Sequence, residues 1–351
     1  MDYNYILLTD SRFASYAVSE LKERLGVSDR IKTMALGKGI YLARLGDDSP
    51  EDLAKLRSLT FSYGILPLVG VMDKQATLDE LKERVATCVA KGEPFRIELV
   101  SLGGKRGESA KDTEVKLGQA FETMGFTVSM KSPERMVYII VGEGFTTIGS
   151  ARVSELEDMT VDHFRLENRN RDTLNRAEVK LKEAFDVFRL NEKKIDSCID
   201  VGSSPGGWTN FMVKRGARVV AIDKGALEYD RLATKDVKVI EDLRDYSEGN
   251  AVLHVRMNLS GTEELPFKRS GFDLIAIDIN TDYLESSKVA NFLADYLKPG
   301  GLLIMTLKLP KISDAGKVYM VNDALSANYR VERVKKLHHN RMELTLLAVR
   351  L

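Results

Sequence analysis

Hydrophobic and polar positions alternate along this chain in two styles. In the amino-terminal half, short strand-like runs are mixed with amphipathic helical stretches. Tyr5 to Thr9 reads as a strand, and Ser11 to Leu25 repeats with helical spacing up to Gly26. Ile31 to Leu36 and Gly39 to Leu45 read as two further strands. Pro50 to Leu59 reads as a helix, with proline near its start and acidic residues in its first turn. Thr77 to Ala90 is amphipathic, and Phe95-Arg96-Ile97-Glu98-Leu99-Val100 alternates as a strand. A basic glycine turn follows at Gly103-Gly104-Lys105-Arg106-Gly107. Asp112 to Met124 predicts a helix closed by Gly125, and Val137 to Gly142 and Gly144 to Ser150 predict two strands. Glu155 to Arg176 is polar and charged and reads as a connector. From Arg176 onward strands and helices alternate, as in a doubly wound α/β domain. The predicted strands are Ser197–Val201, Arg218–Ile222, Val237–Ile240, Leu274–Asp278, Leu302–Leu309 and Leu344–Val349.

Four segments follow from this pattern: 1–70, 71–153, a connector at 154–175, and 176–351. The first resembles half of a ferredoxin-like sandwich. The second, with its basic turn before a helix and Ser132-Pro133 before a late strand, resembles a THUMP domain, a module that grips RNA in RNA-modifying enzymes. The length of 351 residues and the 44% hydrophobic content suffice for two or three cores. Lys+Arg and Asp+Glu both number 52, so net charge announces no nucleic-acid partner, although it can hide local basic patches. Cys88 and Cys198 sit far apart in apolar patterns and read as core residues. His163, His254, His338 and His339 lack metal-ligand spacing, so no metal is expected. No signal peptide and no apolar stretch near 18 residues is visible, which predicts a soluble, cytoplasmic protein with no membrane partner.

The most informative segment is Asp200-Val201-Gly202-Ser203-Ser204-Pro205-Gly206-Gly207-Trp208. A strand runs into a Gly/Ser/Pro turn that opens a helix, the way an open α/β sheet builds a nucleotide-type site. The spacing is not that of a dinucleotide fingerprint, and no Lys-Ser/Thr ending makes it a P-loop. It resembles motif I of S-adenosylmethionine-dependent methyltransferases, in the form found in FtsJ/RrmJ-like RNA 2′-O-methyltransferases. The resemblance implies a Rossmann-like class I methyltransferase domain with a mixed, mostly parallel sheet, preceded by the α+β region. It implies S-adenosylmethionine held by Asp200, Gly202, Ser203, Ser204, Pro205, Gly206, Gly207 and Trp208. Asp223, ending Val219 to Ile222, is placed to take the ribose diol, against the plainer role of capping a following helix. The resemblance sets Asp242 near the adenine amino group, with Glu241 as the competing residue, and Asp278 beside the cofactor.

Methyl transfer to a ribose hydroxyl is an in-line displacement by a poor nucleophile. It requires a positioned base or cations that stabilise the developing alkoxide. The family resemblance supplies a Lys-Asp-Lys-Glu tetrad. Lys180 lies in Asn175-Arg176-Ala177-Glu178-Val179-Lys180-Leu181, which is similar to the family's S-R-A-x-x-K-L helix. Asp278 ends a motif IV strand, Lys308 lies in Leu307-Lys308-Leu309-Pro310, and Glu343 opens the last strand. In stand-alone family members the second lysine falls nearer Gly300-Gly301, about where Thr306 stands. Thr306 and Lys308 are two apart on a strand and share a face. The L-K-L-P form is similar to the branch that 2′-O-methylates a cytidine of bacterial large-subunit rRNA and also carries a THUMP domain. Lys308 is expected to be the base or the cation nearest the 2′-oxygen, with its pKa lowered by burial or by Lys180. Asp278 would orient it, and Lys180 and Glu343 would complete the ring.

The expected partner is RNA, either rRNA or tRNA. Lys105, Arg106 and Lys111 near the basic turn, and Arg165, Arg169 and Arg171 on the connector, are candidates for phosphate contacts. Lys335, Lys336 and Arg341 near the last strand are further candidates. Trp208 either stacks on a base or packs helix against sheet, and the Asn280-Thr281-Asp282 turn faces the site by topology. Three other functions remain open: methylation of a base, a non-catalytic RNA-binding protein that keeps the fold, and, remotely, a dinucleotide oxidoreductase.

Overall fold

The computed structural model describes residues 3–25, 31–44, 59–102, 108–156, 173–259 and 261–351. The chain forms two compact units, 1–167 and 168–351. Among the described residues no helix is long and apolar enough to cross a membrane, and no group of three or more His, Cys, Asp or Glu side chains is arranged to hold a metal ion.

The amino-terminal unit holds β1 (Tyr5–Thr9), β2 (Lys32–Gly37), β3 (Ile40–Arg44), β4 (Ser62–Met72), β5 (Phe95–Ser101), β6 (Arg135–Gly142) and β7 (Phe145–Arg152), with helices α1 (Ala14–Leu25), α2 (Leu78–Ala86) and α3 (Glu108–Thr123). The strands form one sheet in the order β2-β3-β1-β4-β7-β6-β5. The long β4 pairs with β1 through Ser62 to Pro67 and with β7 through Leu68 to Met72. The expected boundary at residue 70 therefore falls inside a strand, and both segments share a sheet. The helix expected at 50–59 lies almost wholly outside the described residues. Strand β5 alternates as predicted, with Phe95, Ile97 and Leu99 packing with Leu117 and Phe121 of α3. Its polar face is also covered. Arg96 and Glu98, two apart and so on one face, are 1% and 0% exposed, with Arg96 Nη2 3.4 Å from Glu98 Oε2.

The carboxyl-terminal unit is a Rossmann-like mixed sheet. Its strands are β8 (Ser197–Val201), β9 (Arg218–Ile222), β10 (Val237–Ile240), β11 (Val252–Val255), β12 (Phe272–Ile277), β13 (Leu297–Lys308), β14 (Tyr329–Lys335) and β15 (Glu343–Arg350). Its helices are α4 (Arg176–Val187), α5 (Gly207–Lys214), α6 (Tyr283–Leu293) and α7 (Met320–Leu325). The order is β10-β11-β9-β8-β12-β13-β15-β14. The pairs from β10 to β13 are parallel, and β15 is antiparallel to both β13 and β14. The succession of strands reverses direction at β8, so the crevice past its carboxyl end is where such sheets take ligands. In this unit two strands escaped the sequence pattern, as the long β4 did in the other. The short β11 follows closely on β10, and β14 is an edge strand whose exposed Arg330 and Glu332 interrupt the apolar run.

Two glycines after β8 are required by close approach. Gly202 has φ +79°, and a Cβ there would stand 2.6 Å from the Asp278 carbonyl oxygen. At Gly207 a Cβ would stand 2.2 Å from Asn175 Oδ1, the group that caps α4. The second glycine of Pro-Gly-Gly thus lets α5 abut the start of α4. Gly207→Ala should cost about 1–3 kcal/mol as overpacking and lower the thermal midpoint by several degrees. An unchanged midpoint in a melting experiment would show that this contact is dispensable.

Candidate active site

The carboxyl ends of β12 and β13, the start of β15 and helix α4 bring four charged side chains together. Asp278 follows β12, and its backbone N–H bonds to the Val201 carbonyl at 2.9 Å, which ties it to motif I. Lys308 ends β13 directly opposite Glu343, the first residue of β15. Lys308 Nζ donates to Glu343 Oε2 at 2.5 Å and to Asp278 Oδ1 at 2.9 Å. Lys180, from α4, donates to Asp278 Oδ2 at 2.5 Å and Glu343 Oε1 at 3.1 Å. Each lysine is shared by both carboxylates and each carboxylate by both lysines, so the ring is closed and formally neutral. Thr306 shares the face of Lys308 and donates to Asp278 Oδ1 at 2.7 Å, fixing the carboxylate from a third side.

Helix α4 is anchored on two faces. Arg176, Lys180 and Glu183 project from one of them, as their spacing requires. The Arg176 guanidinium donates to the His339 carbonyl at 2.5 Å. Glu183 accepts from the backbone N–H groups of His338 and His339 at 2.6 and 2.9 Å, and pairs with His339 Nδ1 at 2.7 Å. Another face carries buried Glu178, which accepts from Leu174 N, Asn210 Nδ2 and Lys214 Nζ. These anchors were not picked out as functional from the sequence. Their only signal was charge inside a helix that also carries apolar core residues. Trp208 is buried, with its ring centroid 5.5 Å from Lys180 Nζ. It packs and faces a cation, and is not available to stack on a base.

Charge in the ring is strongly coupled. Burial pushes the Asp278 pKa up, but Lys180 and Lys308 outweigh it and hold it below the ordinary carboxylate value. Burial pushes the Lys308 pKa down, but Asp278 and Glu343 outweigh that too, and it lies above the ordinary lysine value. The expected lowering at Lys308 is thus reversed, because two carboxylates contact its ammonium where the sequence argument weighed burial and Lys180 alone.

Beside the ring, the motif I turn leaves buried polar atoms without partners. Asp200 Oδ2 accepts from Thr209 Oγ1 at 2.6 Å, whereas Asp200 Oδ1, Ser203 Oγ and Trp208 Nε1 have no hydrogen-bond partner among the described residues. Native interiors rarely leave such atoms unsatisfied, and a polar ligand in the crevice would complete them. Burial raises the Asp200 pKa to about 7, against the Thr209 hydrogen bond. Ser204 Oγ bonds to the Ala226 carbonyl and the Pro205 carbonyl accepts from Glu228 N, so Ser204 and Pro205 shape the turn. Gly206 has φ +113° at the start of α5. Asp223 ends β9 and caps no helix. It accepts from Ser204 N at 3.1 Å and Gly225 N at 2.7 Å, and a carboxylate retains further lone pairs for a diol.

Asp242 stands elsewhere than expected. Its strand, β10, is the sheet edge, and β11 lies between it and β9. Asp242 bonds to the Arg244 backbone N–H and ion-pairs with the Arg244 guanidinium. Glu241 is paired with Arg256 at 3.0 Å. The strand adjoining β9 is β11, so the loop past Val255 (Arg256, Met257 and Asn258) takes the position assigned to Asp242. Asp282 caps α6 through Leu284 N and Glu285 N.

The basic candidates scatter. Lys105, Arg106, Arg165, Arg169 and Arg171 lie outside the described residues. Lys111 is exposed on α3, and Arg341 is exposed before Glu343. Lys335 and Lys336 are 1% and 0% exposed and so cannot meet phosphates. Lys336 donates to the Leu337 and Asn340 carbonyls, holding the loop into β15.

Residues 173–313 match the family model of FtsJ-like methyltransferases. The ribosomal RNA large subunit methyltransferase M of Shewanella denitrificans is 24% identical over 375 residues, covering 98% of this chain and 95% of that protein. The enzyme of the same name from Shewanella frigidimarina is 23% identical, with 98% and 96% covered. Among solved structures, TrmN from Thermus thermophilus aligns over 99% of both chains at 15% identity, with a TM-score of 0.36.

The Asp200 carboxyl should gain its charge as pH rises through about 7, and if Asp200 faces the ammonium of bound S-adenosylmethionine, only its carboxylate form attracts that group. Affinity for S-adenosylhomocysteine, measured by calorimetry, should therefore increase from about pH 6 to about pH 8. Asp200→Asn should flatten that profile. A flat wild-type profile would remove Asp200 from cofactor binding.

Proposed function

We propose that this chain, an S-adenosylmethionine-dependent methyltransferase of the FtsJ-like family, methylates a ribose 2′-hydroxyl of large-subunit rRNA. The observation that carries the ribose reading is the closed ring of Lys180, Asp278, Lys308 and Glu343 at the carboxyl edge of the sheet. A hydroxyl nucleophile needs proton acceptance and cationic support together. The rRNA reading is supported by the near full-length likeness to ribosomal RNA large subunit methyltransferase M.

The motif I residues Asp200, Ser203 and Gly206, with Asp223, would hold S-adenosylmethionine. When bound, it supplies an electrophilic methyl group for in-line transfer. Lys308 is the ring member most open to solvent, with 25% of its side chain exposed, and so the one a substrate hydroxyl reaches. In its neutral form Lys308 accepts the 2′-hydroxyl proton. The resulting ammonium is the species that Asp278 and Glu343 already stabilise. Its elevated pKa makes the neutral form a strong base and a scarce one. Lys180, buried and bound to the same two carboxylates, keeps Asp278 and Glu343 aligned while the Lys308 proton changes hands.

Methyl-labelled cofactor, incubated with tRNA and rRNA fractions and followed by digestion to nucleosides, tests this reading. Label should appear in a 2′-O-methyl nucleoside of rRNA, and Lys308→Ala should reduce it by about 10²–10⁴ while S-adenosylhomocysteine still binds. Label on a base would overturn the ribose reading. The single-turnover rate should rise with pH across the neutral range, because the raised Lys308 pKa leaves little neutral amine there. Lys308→Arg should be inactive at every pH, since a guanidinium does not give up its proton.

A further inference from the structure

The tetrad is open on one side. Lys180 is 6% exposed, Glu343 11%, Asp278 14% and Lys308 25%. A substrate oxygen therefore arrives past Lys308, where β13 ends and β15 begins and the Leu309 N–H bonds to the Met342 carbonyl at 2.9 Å. Two segments form this lip. One leaves β13 as Leu309-Pro310-Lys311, makes a 3-10 turn over Ile312–Lys317, and reaches Tyr319 and Met320. The other enters β15 through Arg341 and Met342. Helix α6, which starts just past the Asp278 loop, packs beside α7, with Asn291 Nδ2 bonded to the Ala324 carbonyl at 2.8 Å.

Large apolar side chains are exposed on this lip and at its flank. Leu284 and Ile312 are 37% exposed, Met320 is 38% and Tyr319 is 70%. Of the six such residues among the described part of this unit, four are these, and Tyr319 is the one aromatic. Lys311 and Arg341 are exposed on the same two segments, and neither side chain forms a salt bridge with a described residue. Asp314 accepts from the Lys311 backbone N–H at 3.0 Å and stands 3.6 Å from Lys317 Nζ. An exposed aromatic and two exposed cations, carried on the segments that leave β13 and enter β15 where the ring is open, fit a nucleic-acid strand better than an apolar protein face. A base stacks on a tyrosine only when it is unpaired, and phosphates answer the cations.

We propose that this lip binds a single-stranded RNA segment, with Tyr319 stacking on a base that neighbours the modified nucleotide and Lys311 and Arg341 pairing with flanking phosphates. The inference rests on the reading of RNA as substrate and adds which form of RNA enters and what grips it. Tyr319, Lys311 and Arg341 are positioning residues outside the ring, so they act on substrate affinity and leave the chemical step alone.

The test uses the full chain as wild type, Tyr319→Ala, Tyr319→Phe and Arg341→Ala. Binding of a fluorescent unpaired oligoribonucleotide and of an RNA duplex is followed by anisotropy, and KM and kcat are measured on rRNA. Tyr319→Ala should weaken binding of the unpaired strand by about 5- to 150-fold and raise the RNA KM with little change in kcat. Tyr319→Phe, which keeps the ring, should stay within about twofold of wild type. Arg341→Ala should reduce the slope of log affinity against log salt by about 1. Equal binding by wild type and Tyr319→Ala, or a preference for the duplex, would overturn the inference. Wild-type label on a base would instead overturn the ribose reading, and the oligonucleotide comparison would still decide whether Tyr319 stacks.

Discussion

Two lysines shared between two carboxylates set the terms for the rest of the catalytic unit. Leaving one buried charge unpaired costs about 3–5 kcal/mol, so all four groups must arrive together. They come from a helix, a strand end, and the two facing positions of an antiparallel pair. The register of β13 on β15 puts Lys308 opposite Glu343, and a slip of one residue would turn Lys308 to the other face. The backbone of Asp278 is fixed by Val201 and crowds Gly202, so the ring and the motif I turn are built on one contact. Helix α4 brings Lys180 to the ring only because Arg176 and Glu183 hold the 338–339 loop and Glu178 holds α5.

Much of this was legible in the sequence because it is written in local spacing. Strands β8 and β9 run over the residues that apolar patterning predicts, since buried parallel strands read as largely apolar runs, and the edge strand β10 follows from the alternation of Val237, Lys238 and Val239. The four ring members could be named because each sits in a short motif that resembles one of the FtsJ/RrmJ-like family. Interactions that cross the fold were not legible. Glu183 and His339 are 156 positions apart, and no local pattern announces that pairing. The burial of Lys335, Lys336, Arg96 and Glu98 escaped for the same reason. A charged residue reads as surface until the element that covers it is known.

The displacement of Asp242 follows from topology and not from strand prediction. The strand Val237–Ile240 is where the sequence put it, and its last residues look like the end of a cofactor strand. Between it and β9, however, lies β11, four residues long and preceded by the polar stretch Ser247 to Asn250. Hydropathy locates strands along the chain but does not order them across a sheet. Ordering follows from pairing, and here it carries the position next to Asp223 from Asp242 to the loop after Val255. Inside β11, His254 bonds to the Asp223 carbonyl at 3.1 Å and to the Tyr229 hydroxyl at 2.7 Å, so this strand also braces the end of β9.

The elevated pKa of Lys308 sets stability against chemistry at one atom. With its folded pKa raised, Lys308 contributes stability that is complete below the ordinary lysine value and is lost as pH rises through the elevated one. With its folded pKa lowered, Asp278 contributes stability that is complete above the ordinary carboxylate value and is lost as pH falls through the depressed one. Across the neutral range both contributions are intact. On the mechanism proposed above, methyl transfer needs one lysine to give up its proton first. That mechanism assigns the loss to Lys308, the more exposed of the two lysines. Lys180, buried, keeps its contacts with Asp278 and Glu343. On that mechanism, taking the proton from the substrate restores the arrangement in which Lys308 and Asp278 make their full contributions to stability.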